Sequence, residues 1–271
     1  MRGSKGTWTR IIAALAAGGA AVLMVGLIAA AERPGEMASF VTSLRGRTPA
    51  QIHNARLALA SIDGAVIRPG ATFSFNQAVG PWTADRGYEK ALVSYDGELV
   101  RSWGGGVCQT STTLYNAALA AGLEIIERHR HHWPPAYVPP GRDAAVAFSN
   151  IDLRLRNTGE QPVTIAGSIE GDGLRVALIG GHAAAAATAV CTKVRAVLRP
   201  QMVTLLDPTL PGGVRRIVNP GRPGFLVATY REVRQPKGHV RRTLISEDHY
   251  PAMNRVVRVG AAGERSGTVS P

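Results

Sequence analysis

The stretch GGGVCQTSTTLYNAALAAG occupies residues 104–122 and joins three glycines to a cysteine and a long run of small and apolar residues. Consecutive glycines permit backbone angles closed to other residues and let another group approach the main chain closely. From Cys108 to Ala121 the pattern is helical, and Gly122 is a typical helix stop. The stretch therefore predicts a tight turn followed by a helix with Cys108 in its first turn.

Other elements flank this predicted helix on both sides. Residues 48–51 (TPAQ) carry the N-terminal signature of a helix that should run to about Ile62. Residues 91–103 place Asp-Gly between two apolar-rich runs, which predicts a β-hairpin leading into the glycines. Apolar runs separated by turn residues predict further strands at 71–75, 123–128, 144–149, 152–156, 162–169 and 174–179.

Composition indicates a globular protein with a surface drawn to polyanions. The 271 residues are 45% hydrophobic, and the formal net charge is +12. Motifs typical of nucleic-acid binding, such as a helix-turn-helix or a zinc finger, are missing from the sequence, so we expect no nucleic-acid partner.

The N-terminus predicts export. Arg2, Lys5 and Arg10 precede residues 11–31, an uncharged apolar run about as long as a membrane-spanning helix. Positive flanking charges stay in the cytoplasm, so the bulk of the chain is expected outside a cell membrane that it crosses once. Ala29 and Ala31 also form an A-x-A pattern, which leaves cleavage by signal peptidase as an alternative.

Cys108 is a candidate nucleophile. The helix dipole and unpaired N–H groups of a first turn favour the thiolate, which is the reactive form of cysteine. Two alternatives stay open at this point: an inert buried thiol, or a disulfide to Cys191, the other cysteine of the chain.

A cysteine nucleophile needs a base, and a histidine cluster follows the predicted helix. His129, His131 and His132 lie at the end of the strand predicted at 123–128. Three histidines and a cysteine could instead bind zinc, or the histidines could be solvated surface residues. Arg142 and Asp143 come next. Arg142 is suited to hold a carboxylate and Asp143 to orient a histidine, although a simple ion pair at a loop end is an equal alternative.

Several of these segments resemble the VanW family in the same order. The resemblance is carried by residues 73–91 (FSFNQAVGPWTADRGYEKA), 104–131 and 137–146 (YVPPGRDAAV). Residues 198–260 look like a truncated G-five domain, a module thought to bind wall glycans.

The VanW resemblance implies a cysteine acyltransferase of the L,D-transpeptidase type that acts on peptidoglycan. Cys108 would be the nucleophile, His131 or His129 the base, and the amides around Gly106 and Val107 the oxyanion donors, with no metal or other cofactor. Substrate contacts are expected from Gly104, Gly105, Gly106, Gln109, Asn76, Arg142 and Asp143. The expected partners are stem peptides, glycan strands and the membrane, with anionic wall polymers as a further candidate. The alternative is a non-catalytic peptidoglycan- or glycan-binding protein associated with glycopeptide resistance or wall maintenance.

The expected fold class is α+β: a mixed helix and strand domain, then a smaller all-β domain, with one N-terminal transmembrane helix. The expected segments are a cytoplasmic basic stretch at 1–10, the membrane helix at 11–31, a spacer at 32–47, the VanW domain at 48–180, a linker at 181–192, the G-five-like domain at 193–260 and a disordered tail at 261–271.

Overall fold

The structure is a computed structural model that describes residues 35–95, 98–148, 150–180, 188–235 and 239–260. Strands predominate in this part of the chain. Its α-helices are α1 (Pro49–Ile62), α2 (Phe75–Val79) and α3 (Val107–Ala121). Its strands are β1 (Glu36–Ser43), β2 (Val66–Ile67), β3 (Thr72–Ser74), β4 (Lys90–Tyr95), β5 (Glu98–Trp103), β6 (Glu124–Glu127), β7 (Arg154–Arg156), β8 (Val163–Glu170), β9 (Gly173–Gly180), β10 (Thr188–Leu198), β11 (Met202–Leu206), β12 (Arg215–Asn219), β13 (Gly224–Arg234), β14 (Val240–Tyr250) and β15 (Arg255–Val259).

The chain divides into two compact units. The first contains the described residues up to Arg195 together with Val227–Asp248. The second contains Ala196–Leu226 and the described residues from His249 onward. Within the second unit β15 pairs with β11 in parallel and with β12 in antiparallel register. These strands form a smaller all-β unit, but Val227–Asp248, which lies within the range predicted for that unit (193–260), belongs to the first unit.

The first unit is built on an antiparallel sheet of order β1-β9-β8-β2. Helix α3 packs on β1 and β9, and α1 packs on α3 and β8. Nearly every residue of α3 is buried, and Leu114 and Leu119 lie fully inside the core. Such a helix has no face for solvent, so its polar side chains must find partners within the protein.

The predicted start of α1 is confirmed in detail. Gln51 N–H donates to the Thr48 hydroxyl at 3.3 Å, and the Gln51 side chain accepts from Thr48 N–H at 3.1 Å. This reciprocal pair satisfies two N–H groups that a helix start leaves free. The predicted hairpin is present as β4 and β5, although its Asp-Gly turn lies outside the described residues.

Three predictions about connecting segments are wrong. The spacer predicted at 32–47 contains β1, which pairs with β9 in the first unit. The buried Glu36 of β1 accepts two hydrogen bonds from Arg175 at 2.6 and 2.8 Å. The linker predicted at 181–192 gives way to strand at Thr188. Within the strand predicted at 144–149, the described residues Ala145 and Ala147 form isolated bridges instead of a strand.

The predicted membrane helix at 11–31, the basic segment at 1–10 and the tail at 261–271 lie outside the described residues. In the part of the chain that the structure describes, no helix has the length and apolar character needed to span a membrane.

Candidate active site

The polar side chains of α3 hold the extended segment 142–146 against the helix. The bonds come from residues one helical turn apart and join Asn116 Nδ2 to Arg142 O (2.7 Å), Ala144 N to Thr112 Oγ1 (3.0 Å) and Cys108 Sγ to Val146 O (3.4 Å). Four helical residues advance ~6 Å, and two extended residues advance ~6.6 Å. Because these spacings match, one helix face can bind every second residue of the segment.

The other edge of the same segment faces residues 128–131. Ala145 N–H donates to the His129 carbonyl at 2.7 Å, and Arg128 Nε donates to the Asp143 carbonyl at 2.7 Å. The segment 142–146 therefore lies between α3 and the histidine-bearing stretch. This placement brings together side chains from three separate parts of the sequence.

Cys108, His131 and Asp143 form a hydrogen-bonded series. Asp143 Oδ2 lies 2.7 Å from His131 Nδ1 and also accepts from His131 N–H at 2.7 Å. The side chains of His131 and Cys108 are hydrogen-bonded to each other. Because Nδ1 of His131 is bonded to Asp143, Nε2 is the ring nitrogen left to bond the Cys108 sulfur. A thiol, a histidine and a carboxylate in this order are the parts of a cysteine acyl-transfer site.

Burial and charge set the protonation states of the three groups. Burial alone would raise the pKa of the Cys108 thiol, but the hydrogen bond and positive charge of His131 lower that pKa below its usual value. Burial also disfavours the imidazolium, yet the bonds to Asp143 and Cys108 raise the pKa of His131 to about 10. Asp143 is buried as well, and His131 and Arg128 lower its pKa to about 2. The site therefore favours the charged forms of all three groups, thiolate, imidazolium and carboxylate, more than the free side chains do.

The Arg128 guanidinium is hydrogen-bonded to two carboxylates, those of Asp143 and Asp248. Its Nη2 donates to Asp143 Oδ1 at 3.2 Å, and its Nη1 donates to Asp248 Oδ1 at 2.6 Å. The side chains of Arg128 and Asp248 are 6% and 7% exposed. Asp248 lies on β14 and belongs to the first unit. Sequence reasoning missed both residues, because nothing local to β14 indicates a link to the histidine cluster.

Tyr137 is a further neighbour of Cys108. Its hydroxyl is hydrogen-bonded to Thr112, and the Arg47 guanidinium lies 5.0 Å from the centre of its ring. Burial and the negative charge of Cys108 raise the pKa of Tyr137. A neutral phenol therefore lies close to the Cys108 sulfur.

The three glycines before Cys108 are explained by packing. A Cβ on Gly106, whose φ is +116°, would overlap the Gln51 carbonyl oxygen at the start of α1. Cβ atoms on Gly104 and Gly105 would lie 2.9 Å from Trp82 Cβ and 2.8 Å from the Leu92 carbonyl oxygen. The turn must therefore be free of side chains for α1 and the β4–β5 hairpin to pack beside it.

Gln109 and Arg142, both predicted to contact substrate, are buried among protein partners. Gln109 Nε2 donates to Thr42 Oγ1 at 3.1 Å and to the Ser43 carbonyl at 2.9 Å, so it fastens β1 to α3. Arg142 is 5% exposed. It donates through Nε to Asn116 and through Nη1 to the Val190 carbonyl at 3.0 Å. Burial lowers the pKa of Arg142 to about 10. A buried and bonded guanidinium cannot grip a substrate carboxylate, so we correct that prediction.

His129 and Asn76 are not part of the series. His129 Nε2 is 3.0 Å from Glu127 Oε1, and the side chain is 45% exposed. Of the two candidate bases, His131 is the one bonded to Cys108. Asn76 Nδ2 donates to the Ala147 and Ile151 carbonyls at 3.1 and 2.9 Å.

The disulfide alternative is wrong, because both cysteines are free. Cys191 Sγ lies 3.5 Å from Glu232 Oε1, and burial raises the pKa of its thiol. Zinc was the other alternative. Among the described residues, no three His, Cys, Asp or Glu side chains are grouped closely enough to hold a metal ion.

Comparison with known proteins agrees with the resemblance drawn from the motifs. The chain is 40% identical to the protein YoaR of Bacillus subtilis over 143 residues, which are 53% of this chain and 47% of YoaR. It is 35% identical to the vancomycin B-type resistance protein VanW of Enterococcus faecalis over 112 residues, which are 40% of this chain and 41% of that protein. The chain thus spans less than half the length of these relatives.

Two solved structures are similar to part of this chain. The crystal structure of HP0197-G5 is 28% identical and matches 26% of this chain and 97% of that chain, with a TM-score of 0.17. The IgA1 protease G5 domain is 21% identical and matches 28% of this chain and 86% of that chain, with a TM-score of 0.23.

Comparison with protein families gives the limits of two domains in this chain. Residues 50–179 match the family described as VanW like protein, and residues 192–262 match the G5 domain. Asp248 falls within the G5 match, although it packs in the first unit. Residues 50–179 of this chain are therefore a VanW-like domain, and residues 192–262 are a G5 domain.

Proposed function

We propose that this protein is a cysteine acyltransferase that exchanges peptide bonds in peptidoglycan stem peptides, as an L,D-transpeptidase does. The observation that carries the proposal is the series Cys108–His131–Asp143, in which a half-buried thiol is bonded to a histidine whose other ring nitrogen is bonded to a buried carboxylate. That series supplies a nucleophile, a proton carrier and a group that orients the carrier.

In the first step the Cys108 thiolate attacks the carbonyl carbon of the donor amide. The carbonyl π electrons move to oxygen and then return as the C–N bond breaks, which leaves a thioester on Cys108. The His131 imidazolium gives its proton to the departing amine, so a neutral amino acid amine leaves. Asp143 keeps His131 in the orientation that this transfer needs.

In the second step an acceptor amine attacks the thioester carbonyl. Neutral His131 takes the proton of the attacking nitrogen, the C–S bond breaks, and Cys108 leaves as thiolate. The new amide is the crosslink, and the thiolate–imidazolium pair is restored. Water in place of the amine would give hydrolysis through the same steps.

The start of α3 supplies a backbone N–H donor for the oxyanion that forms in both steps. Val107 N–H and Gln109 N–H donate to the Gly104 and Gly106 carbonyls at 3.0 and 3.0 Å. The Val107 N–H, which was predicted to be an oxyanion donor, is therefore already hydrogen-bonded within the protein. The N–H of Cys108 lies between them in a helix turn that offers it no intrahelical partner, and it is the donor nearest the sulfur.

The choice of substrate rests on family likeness. The Enterococcus relative is named for vancomycin resistance. Crosslinks made by attack after the diamino acid of the stem bypass the D-Ala-D-Ala end that vancomycin recognises. An exported location agrees with this substrate, and residues 11–31 with their preceding Arg2, Lys5 and Arg10 support anchoring in the cell membrane.

Mass spectrometry of purified stem peptides tests the proposal. Peptides incubated with the whole chain should yield crosslinked dimers that lack the terminal residue of the donor. Cys108→Ala should yield none, while Cys191→Ala, the matched cysteine control, should be fully active. Equal product from Cys108→Ala and the unaltered chain would sink the idea.

We also propose that the second unit binds wall glycan or an anionic wall polymer. Its neighbouring strands β12 and β15 expose Arg215, Arg216 and Arg255, and the whole chain has a net charge of +12. Exposed arginines on adjacent strands suit polyanion binding. The chain should co-sediment with insoluble peptidoglycan, and a variant with these three arginines changed to Gln should stay in solution. Co-sedimentation unaffected by those changes counts against the proposal.

A further inference from the structure

Three strands that overlap the G5 match form one sheet, of order β10-β13-β14, and most of this sheet belongs to the first unit. Successive side chains of a strand point to opposite faces, so alternate residues share a face. One face carries Thr229 and Asp248, which bond residues of the VanW-like domain. The opposite face carries Tyr230 and Glu232, which contact Arg242. The sheet therefore uses one face to meet the VanW-like domain.

Contacts of that face converge on the loop just before Asp143. Thr229 Oγ1 donates to the Gly141 carbonyl at 3.0 Å, and Arg142 Nη1 donates to the Val190 carbonyl on β10 at 3.0 Å. Gly141 has a φ of +88°, and a Cβ there would lie 2.6 Å from Thr229 Oγ1. The loop and β13 are therefore in close contact two residues before the carboxylate of the proposed catalytic series.

Asp248 reaches the same carboxylate through Arg128. The guanidinium donates to Asp248 Oδ1 at 2.6 Å and to Asp143 Oδ1 at 3.2 Å. Asp143 uses its other oxygen, Oδ2, for His131 Nδ1 at 2.7 Å. Asp248 is fixed in turn, because its Oδ2 accepts from the Ser246 hydroxyl at 3.0 Å. One oxygen of Asp143 thus holds the histidine, and the other is held by an arginine that a β14 residue keeps in place.

This sheet fixes a group on which proton transfer depends. A histidine carries protons in a catalytic series only while a partner keeps its ring in one orientation, and here that partner is Asp143. Helix α3 holds one edge of residues 142–146, and the sheet holds the residues that precede them. None of the three strands lies within residues 50–179. The VanW-like domain therefore does not contain all the groups that position its own aspartate.

We propose that Asp248 and Thr229 are positioning residues of the catalytic series, and that the β10-β13-β14 sheet is a part of the catalytic unit. This inference deepens the proposed function, because it names residues outside the VanW-like domain on which acyl transfer depends. Both residues act through Asp143. Asp248 holds the arginine bonded to that carboxylate, and Thr229 holds the loop that precedes it.

Proton NMR of the whole chain tests the proposal without a substrate. The Nδ1 proton of a histidine bonded to a carboxylate resonates at low field, and His131→Ala identifies the signal by its loss. Asp248→Asn, which keeps the shape of the side chain but removes its charge, should shift or broaden this signal. Thr229→Val, which removes one hydroxyl, should shift it less. The control is Glu232→Gln on the opposite face, where the carboxylate pairs with Arg242 at 3.3 Å, and it should leave the signal unchanged.

The outcomes separate positioning from the acyl-transfer proposal. A signal that both Asp248→Asn and Thr229→Val leave unchanged, or that Glu232→Gln changes equally, would overturn the positioning role, as would an unaltered chain without the signal. If Asp248→Asn does not fold, Thr229→Val decides. In parallel crosslinking assays kcat should fall about tenfold or more for Asp248→Asn, with KM unchanged. Loss of crosslinking in the unaltered chain refutes only acyl transfer, whereas crosslinking with an unmoved signal refutes only positioning.

Discussion

Replacement of Asp248 by Ala should weaken both the fold and the reactivity of Cys108. Asp248 is joined to Arg128 at 2.6 Å, and both side chains are at least nine-tenths buried. Removing one partner of a buried ion pair costs ~3–5 kcal/mol, because a charge is left without compensation. Arg128 keeps its bond to Asp143 at 3.2 Å, so we expect the lower end, about 3 kcal/mol.

The effect on the site follows from the same contacts. Arg128 is among the groups that lower the pKa of Asp143, and Asp143 in turn raises the pKa of His131. A displaced Arg128 weakens this series, so the Cys108 thiol should ionise at higher pH. Urea unfolding measures the free energy, and the rate of iodoacetamide labelling against pH measures thiol ionisation.

Glu247→Ala is the matched control. Glu247 precedes Asp248 on β14 and pairs with Arg195 at 3.0 Å, but these side chains are 61% and 48% exposed. An exposed pair contributes ~0–1 kcal/mol. The reasoning is refuted if Asp248→Ala matches Glu247→Ala in both the free energy of unfolding and the labelling profile.

Three further outcomes are expected. Gly106→Ala should destabilise the chain by at least ~3 kcal/mol or prevent folding, because the new Cβ would overlap the Gln51 carbonyl oxygen. Gly122→Ala is the control: its φ is +85° but the space around it is open, so it should cost ~1 kcal/mol. Similar melting temperatures of the two variants would contradict this reasoning. The buried Asp143 carboxyl has a pKa near 2 in the fold against an ordinary 3.8, so its stabilisation, on the order of 2 kcal/mol, is present above pH 4 and lost as pH falls toward 2. Acid titration of Asp143→Asn should show a shallower fall in unfolding free energy over that range than the unaltered chain, and an equal fall would oppose the assignment. Cys191, whose thiol pKa is raised, should label much more slowly than Cys108, whose thiol pKa is lowered, at pH 7, and comparable rates would contradict these opposite shifts.

The sequence predicted the parts of the site that are encoded locally. The glycine turn, the helix after it and the position of Cys108 in its first turn follow from residues 104–122 alone. The start of α1 is equally local, because a capping box is read from four adjacent residues. The histidine cluster was found for the same reason, since it directly follows a predicted strand.

What the sequence could not predict depends on neighbours far along the chain. Arg142 and Asp143 are adjacent and both charged, and only the position of their segment between α3 and residues 128–131 directs one into the core and the other to His131. His129 and His131 were both candidate bases, and only their partners in the fold, Glu127 for His129 and Asp143 for His131, tell them apart. Strand β1 was missed because it begins with a charged residue, Glu36, which is buried only because it pairs with Arg175 on β9. Residues near Glu36 in the sequence do not indicate this ion pair.

Intact-protein mass spectrometry of the acyl-enzyme tests the central claim most directly. A donor stem peptide without an acceptor amine should add, to the whole chain at neutral pH, the mass of the peptide less that of its released terminal residue. The adduct should form on Cys191→Ser, be strongly reduced on His131→Ala and be missing from Cys108→Ala. An adduct that persists on Cys108→Ala, or an unaltered chain that never acquires one, would contradict the account of Cys108 as a nucleophile activated by His131 and Asp143.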